Sequence, residues 1–423
     1  MSHRSASHAV CFRLNSLSLA LLLGLGYAGL AHGQETSGSI VGSAPDIPGE
    51  TVMVTGSSGI VREVPVTRGR FNITSLPIGV YTVSLRVNGE TIDTRGNVSI
   101  QVGAGTTVAF VDTSASAEAQ DLSAISVSAN SLPPIDASNV NSQTVVTSQQ
   151  LARLPLQRSA EAIAQLAPGV NQGSTYFKSA TGQVLTTFGG SSVAENAYYV
   201  NGFNTTNPLN GYGGLTLPYG AIDQQQVLTS GYGAQFGRSD GGVINQIGKR
   251  GSNRWTFGAR LLWQPAWADG TPANGYYPAG PQYLHDADGG AQGKLFQYNR
   301  ANRQSVLTEN VYLGGPLIEN KLYVFGAFEG ERIYNGRQVG TIDAGTATTY
   351  RYDNPKWYAK LDWNINENNI LELTGASNKS LYSGNIYAFD YAADGGDSGS
   401  YGAFKSPATY TKNGGDKIGR AHV

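Results

Sequence analysis

Trp255, Phe257, Ala259, Leu261 and Trp263 alternate with Arg254, Thr256, Gly258, Arg260, Leu262 and Gln264. Period-two patterning puts the two sets on opposite faces of a strand, one apolar and one mostly polar. The tryptophans at the ends of the apolar face are eight residues apart. That spacing is roughly 26 Å along a strand, or about 20 Å of height at a tilt of about 40°, comparable to the apolar band of a membrane-spanning barrel. A later stretch repeats the pattern, with Trp357, Ala359, Leu361, Trp363 and Ile365 against Tyr358, Lys360, Asp362 and Asn364. All five tryptophans lie after residue 254. Lipid cannot satisfy the backbone groups of an open sheet, so strands of this kind belong in a closed barrel.

The remaining composition agrees. Charged residues are 14% of the chain while Gly (55) and Tyr (23) are over-used, a balance that suits a β-rich membrane protein better than a cytosolic enzyme. With 29 basic and 30 acidic residues there is no electrostatic footprint for nucleic acid. Residues 1–33 read as a secretory signal: Arg4 and Arg13, the apolar run Leu17–Leu25, and a small-residue cleavage site at Ala31-His32-Gly33. The run is shorter than the roughly 20 residues of a membrane helix. Cys11, the single cysteine, lies within this signal, so the exported chain has no disulfide framework.

Residues 34–112 are short strands separated by turn residues, with Tyr81, Val83, Leu85 and Val87 on one face and Thr82, Ser84 and Arg86 on the other. This is the pattern of a β-sandwich. Its segment GRFNITSLPIGVYTVSLRV (69–87) resembles the carboxypeptidase-regulatory-like domain; it contains no histidine or metal-ligand cluster, so peptidase chemistry is not expected. Residues 113–130 open with the small-residue linker TSASAEAQ and continue into a lone alternating strand, Leu122, Ser123, Ala124, Ile125, Ser126, Val127, Ser128 and Ala129. On its own this strand fits a sandwich edge. Standing before residues 131–252, it also resembles the TonB box of TonB-dependent outer-membrane receptors, which works by strand addition to a periplasmic partner.

Three features of residues 131–252 resemble the plug domain of those receptors. A helix is expected from Ser159, an N-cap, to Ala167, with Ile163 and Leu166 on one face and Pro168-Gly169 as its stop. The stretch FGGSSVAENAYYVNGFNTTNP (188–208) has a tyrosine-rich strand and an Asn201-Gly202 turn. The glycine-rich GYGAQFGRSDGG (231–242) leads into the β-branched VINQI. A phosphate loop would need a helix there, and the glycine spacing misses G-x-G-x-x-G. The alternative, which the resemblance supports, is a backbone folded tightly inside a filled lumen, where glycine permits close approach. Arg238 is then either an ion-pair anchor to the barrel wall or a solvated loop arginine.

From residue 253 to 417 the chain reads as the start of an outer-membrane barrel, and GGPLIENKLYVFGAFEGER (314–332) resembles the Oar-like branch of the family. Connections alternate in length: a long loop from about Pro265 to Arg303, a short turn over Gly315–Asn320, a medium loop over Asn335–Thr349 and a short turn over Asn366–Asn369. About five strands are legible against about 22 in receptors of this kind, so the sequence is read as an N-terminal fragment. Ile418–Val423 back-translates to a common sequencing adapter and is expected to be foreign to the protein.

The expected fold is therefore mainly β: a β-sandwich, an α/β plug domain and the first strands of a truncated transmembrane barrel. The resemblance implies a receptor of the Gram-negative outer membrane, set in outer-membrane lipid, with a TonB-type energy-coupling protein and an unidentified small solute as partners. No catalysis and no cofactor are expected. Asp286 and Asp288 in HDADGG match only half of a calcium loop, so no metal site is expected. Candidate ligand contacts are Tyr198, Tyr199, Phe203 and Asn204 in the plug and Tyr276 and Tyr277 in the first outer loop, because aromatic and polar apices suit sugars, peptides and chelates alike. A different class of function, adhesion or matrix secretion, fits the same domain order.

Overall fold

A computed structural model describes residues 36–110, 141–179, 183–237, 239–278, 295–366, 369–390, 403–411 and 419–421. The signal, the TonB-box-like strand Leu122–Ala129, Arg238, and the His285, Asp286 and Asp288 cluster all lie outside the described residues.

The N-terminal unit is built from β1 (Ser37–Ser43), β2 (Glu50–Gly56), β3 (Val61–Pro65), β4 (Arg70–Pro77), β5 (Gly79–Val87), β6 (Glu90–Ile100) and β7 (Gly105–Ala109). They form two sheets, ordered β4-β1-β7 and β3-β2-β5-β6. Ile40, Ile73 and Leu76 from the first sheet and Val52, Val54, Tyr81, Val83 and Leu85 from the second share one core, so the alternation along β5 becomes an inner and an outer face. The Tyr81 hydroxyl donates to the Pro77 carbonyl at 2.6 Å.

The next unit contains β8 (Ser142–Thr147), α1 (Ser148–Arg153), α2 (Ala160–Ala164), β9 (Val170–Gln172), β10 (Thr186–Phe188), β11 (Ala197–Val200), β12 (Phe203–Asn204), β13 (Ile222–Ser230) and β14 (Val243–Gly248). Its main sheet runs β12-β11-β14-β13-β8, with β11 parallel to β14. Thr147 opens α1 with a capping box through Gln150. Ser159 caps α2 by accepting from the Ala162 N–H, but the helix stops at Ala164. The expected extension to Ala167 is corrected: the chain turns through Gly169 at φ 76°, and Leu166 is left exposed while Ile163 is buried.

The last sheet comprises β15 (Thr256–Gln264), β18 (Arg303–Ile318), β19 (Leu322–Val339), β20 (Thr346–Asn366), β21 (Asn369–Asn378), β22 (Leu381–Asp390), β23 (Ala403–Thr411) and β24 (Gly419–Ala421); β16 (Gly275–Tyr276) and β17 (Leu295–Gln297) pair separately within the long loop. Its pairing is antiparallel throughout. Both β21 and β22 pair with β20, one along each half, so they act as a single neighbour interrupted at Lys379-Ser380. Among the described residues this sheet has eight strands, one of them β24 in the tail expected to be foreign, against about five legible in sequence. The connections are also shorter than expected, because pairing continues past the point where the hydrophobic pattern fades. Gly315–Ile318 belongs to β18 and Asn335–Val339 to β19, leaving 319–321 and 340–345 as the turns. Along β20 Tyr358, Lys360 and Asp362 are buried while Trp357, Trp363 and Ile365 are exposed. Among the described residues no helix is long and apolar enough to cross a membrane.

Candidate functional site: the contact between plug and wall

The polar face of the strand wall packs against the central domain, and the connection from β14 to β15 passes directly along it. A Cβ on Gly251 would stand 2.7 Å from the Val324 carbonyl oxygen and 2.9 Å from that of Gly315, distances that real Cβ atoms do not adopt. A Cβ on Gly248 would lie closer still to the Tyr358 ring. Glycine is required here because two backbones touch.

That close approach delivers Arg250 to a cluster of charges. Its Nη2 lies 3.1 Å from Asp362 Oδ1 and 3.2 Å from Glu372 Oε1. Lys360 Nζ reaches the same two carboxylates, at 3.5 Å from Asp362 Oδ1 and 3.0 Å from Glu372 Oε2. One cation comes from the central domain and the other three charges come from the wall, in alternating sign. Burial opposes the Arg250 charge, but Asp362 and Glu372 outweigh it and hold the guanidinium above its ordinary value. Asn201 adds a neutral link: its Nδ2 donates to Tyr358 Oη at 3.1 Å and to Thr374 Oγ1 at 3.2 Å, while its Oδ1 accepts from the Gly248 N–H at 2.8 Å.

A second anchor centres on Glu329, a buried carboxylate of β19. It accepts from the Tyr219 backbone N–H at 3.0 Å and from Lys356 Nζ at 3.3 Å. Arg158 of the central domain lies 4.0 Å from it and stacks over the Tyr219 ring at 4.7 Å. Here burial wins over Glu329, and the Arg158 guanidinium is held below its usual value.

Towards the end of the wall opposite the Ile318–Leu322 turn, a cavity of about 570 Å³ separates the two layers. Gln157, Gln165, Lys178 and Gln183 line it from the central domain, and Gln304, Tyr350 and Tyr352 from the wall. Tyr350 Oη donates to Gln304 Oε1 at 3.1 Å, and Tyr352 packs on Tyr382 with ring centroids 4.9 Å apart. Glu161 also borders the cavity, but burial pushes its carboxyl up and favours the neutral form.

None of the six ligand-contact candidates lines this cavity. Tyr198 and Tyr199 are corrected outright: at 1% and 2% exposure they are core residues, the first against Phe188 and its neighbours, the second edge-on to Phe236 at 5.3 Å. Four consecutive positions of β11 are buried because the sheet is covered on both faces. Phe203 (54%) and Asn204 are exposed on β12. Tyr276 is exposed on β16, and Tyr277 packs on Phe296 at 5.0 Å. Sequence reasoning missed Arg250, Arg158 and Glu329. The basic pair Lys249-Arg250 after VINQIG carried a signal for the first; nothing local marked the others.

Residues 136–244 match the family model of the TonB-dependent receptor plug domain. The chain is 27% identical over 335 residues to the TonB-dependent transporter Oar of Myxococcus xanthus, covering 74% of this chain and 28% of that protein. It therefore spans under a third of the length of the curated relative it matches. Among solved structures, the siderophore receptor PirA from Acinetobacter baumannii aligns at 18% identity and a TM-score of 0.39, over 60% of this chain and 34% of that one. The outer-membrane transporter YddB from Escherichia coli aligns at 16% and 0.38, over 58% and 37%. The chain thus contains a TonB-dependent receptor plug domain and is related in sequence to the TonB-dependent transporter Oar.

Proposed function

We propose that this protein is an outer-membrane receptor that binds a scarce solute on its outer side and admits it when the plug is displaced by an energised periplasmic partner. The observation that carries this reading is the plug–wall contact. Arg250 of the plug is held by the wall carboxylates Asp362 and Glu372, and Arg158 lies near a third, Glu329; a plug held by ion pairs and hydrogen bonds can be drawn away without unfolding the wall. The partner would be a TonB-type protein that adds Leu122–Ala129 to a sheet edge, with main-chain bonds supplying the grip.

The candidate solutes are a siderophore, an oligosaccharide or a peptide. The cavity offers glutamine amides, tyrosine hydroxyls and the Lys178 ammonium, groups that recognise a solute rich in hydroxyl, carbonyl or amide groups. Deletion of Leu122–Ala129 tests the reading. Cells relying on this receptor should lose growth on one oligosaccharide or peptide source while the protein remains in the outer membrane. Unchanged growth on every source, together with failed cell–cell adhesion, would replace uptake with an adhesion role.

A further inference from the structure

The N-terminal sandwich touches both the plug and the rim of the wall, through two joints of different character. At the first, the turn between β6 and β7 docks on β13. The Gln224 side chain, 5% exposed, accepts from the Val102 N–H and donates to the Ile100 carbonyl, each at 3.1 Å. Val102 is fully buried in a cluster with Ile78 and Ile247, against which Val145 packs. Gln143 Nε2 of β8 donates to the Gly103 carbonyl at 3.4 Å. At the second joint, the turn between β2 and β3 meets the rim. The Ser57 carbonyl accepts from the Asn253 N–H at 3.2 Å and the Ser58 carbonyl from Asn364 Nδ2 at 2.9 Å. Gly59, at φ 68°, fits so closely that a Cβ would lie 2.6 Å from Asn320 Cα.

The two joints should not yield together. Separating the first exposes the apolar cluster of Ile78, Val102 and Ile247 to water, and its buried hydrogen bonds must break before water can reach them. The second joins hydrogen bonds from Ser57 and the buried Ser58 to the packing of one half-buried wall residue, Ile370, on the sandwich core, a smaller apolar contact that water reaches sooner. Connectivity adds to this: residues 111–141 run from β7, an edge strand of the sandwich, to β8, an edge strand of the plug sheet.

We propose that the sandwich is a bracket that moves with the plug as one body and tethers it to the wall rim through Ser57-Ser58, and that this rim contact is the first to release when the plug is drawn out. The contacts alone support it, so it stands whether or not Leu122–Ala129 binds a partner.

Single-molecule pulling provides the test, with the force applied by the instrument. The receptor carries Asn141→Cys as the attachment point beside β8 and is held in outer-membrane vesicles. The expected trace has an early, weak rupture followed by the main plug rupture. Asn364→Ala, which removes one of the rim hydrogen bonds, should lower the force of the early event and leave the main force unchanged. In a second variant, an oxidised Ser58→Cys/Asn364→Cys pair should at least double the first rupture force, and reductant should restore the weak event. A parent trace with no early event, or an early event that either variant leaves unchanged, overturns the proposal.

Discussion

Arg250 illustrates how a single side chain depends on its surroundings. Its charge is buried, and only the paired carboxylates of Asp362 and Glu372 keep it favourable there. Arg250→Ala would leave Lys360 facing two carboxylates without the second cation, and removing one partner from a buried ion pair costs about 3–5 kcal/mol. The expected result is faster proteolysis of the plug at unchanged wall integrity, read by pulse proteolysis and by heat-modifiability on gels. Glu161 behaves in the opposite way. Burial raises its pKa above the ordinary 4.5, so the folded plug binds that proton more tightly than the unfolded chain. Its contribution is therefore fully present below the unfolded pKa and is lost as pH rises through the folded one. Glu161→Gln should raise the unfolding midpoint at pH 7, with the gain vanishing as pH falls below about 4.5. Equal gains in denaturant titrations at both pH values would refute this account.

Among the elements, the β11–β12 hairpin was the most legible. Asn201 and Gly202 both have positive φ, 48° and 77°, as a two-residue turn with the right hand of twist requires. What the dipeptide did not disclose is that Asn201 also bridges the plug to Tyr358 and Thr374 on the wall. Asn201→Ala removes a turn former and strands buried partners, a loss of about 2–3 kcal/mol in denaturant unfolding of the plug. Asn201→Gly, which keeps the turn, should recover part of it. The shortened α2 makes the complementary point: Ser159 was correctly read as a cap, yet the apolar spacing of Ile163 and Leu166 overstated the length. Spacing reports which residues could share a face, while the turn at Gly169 decided which of them did.

For the whole molecule, the outward placement of the tryptophans is the most direct consequence of the fold. Trp255, Trp263, Trp357 and Trp363 are all exposed on the wall, so their fluorescence in vesicles should be quenched strongly by brominated acyl chains. A protein with quenching no greater than free tryptophan in buffer alongside the same vesicles would not have this wall in lipid. The wall's two faces were readable from residues 357–365, where burial alternates residue by residue, because period-two alternation is a local property, carried by each strand alone; along β15 both sets are exposed but for Gly258. The same holds for the sandwich face of Tyr81, Val83 and Leu85 and for the backbone demands of the glycines. The anchors were not readable. Arg250 meets Asp362 across 112 residues and Tyr219 meets Glu329 across 110, and no periodicity records which inward-facing charge will lie opposite which. Likewise Tyr198 and Tyr199 have the composition of a binding surface, and only the covering of both faces of their sheet made them core. Strand identity follows from covalent alternation; charge pairing and burial follow from which surfaces close on each other, and that is settled when the layers pack.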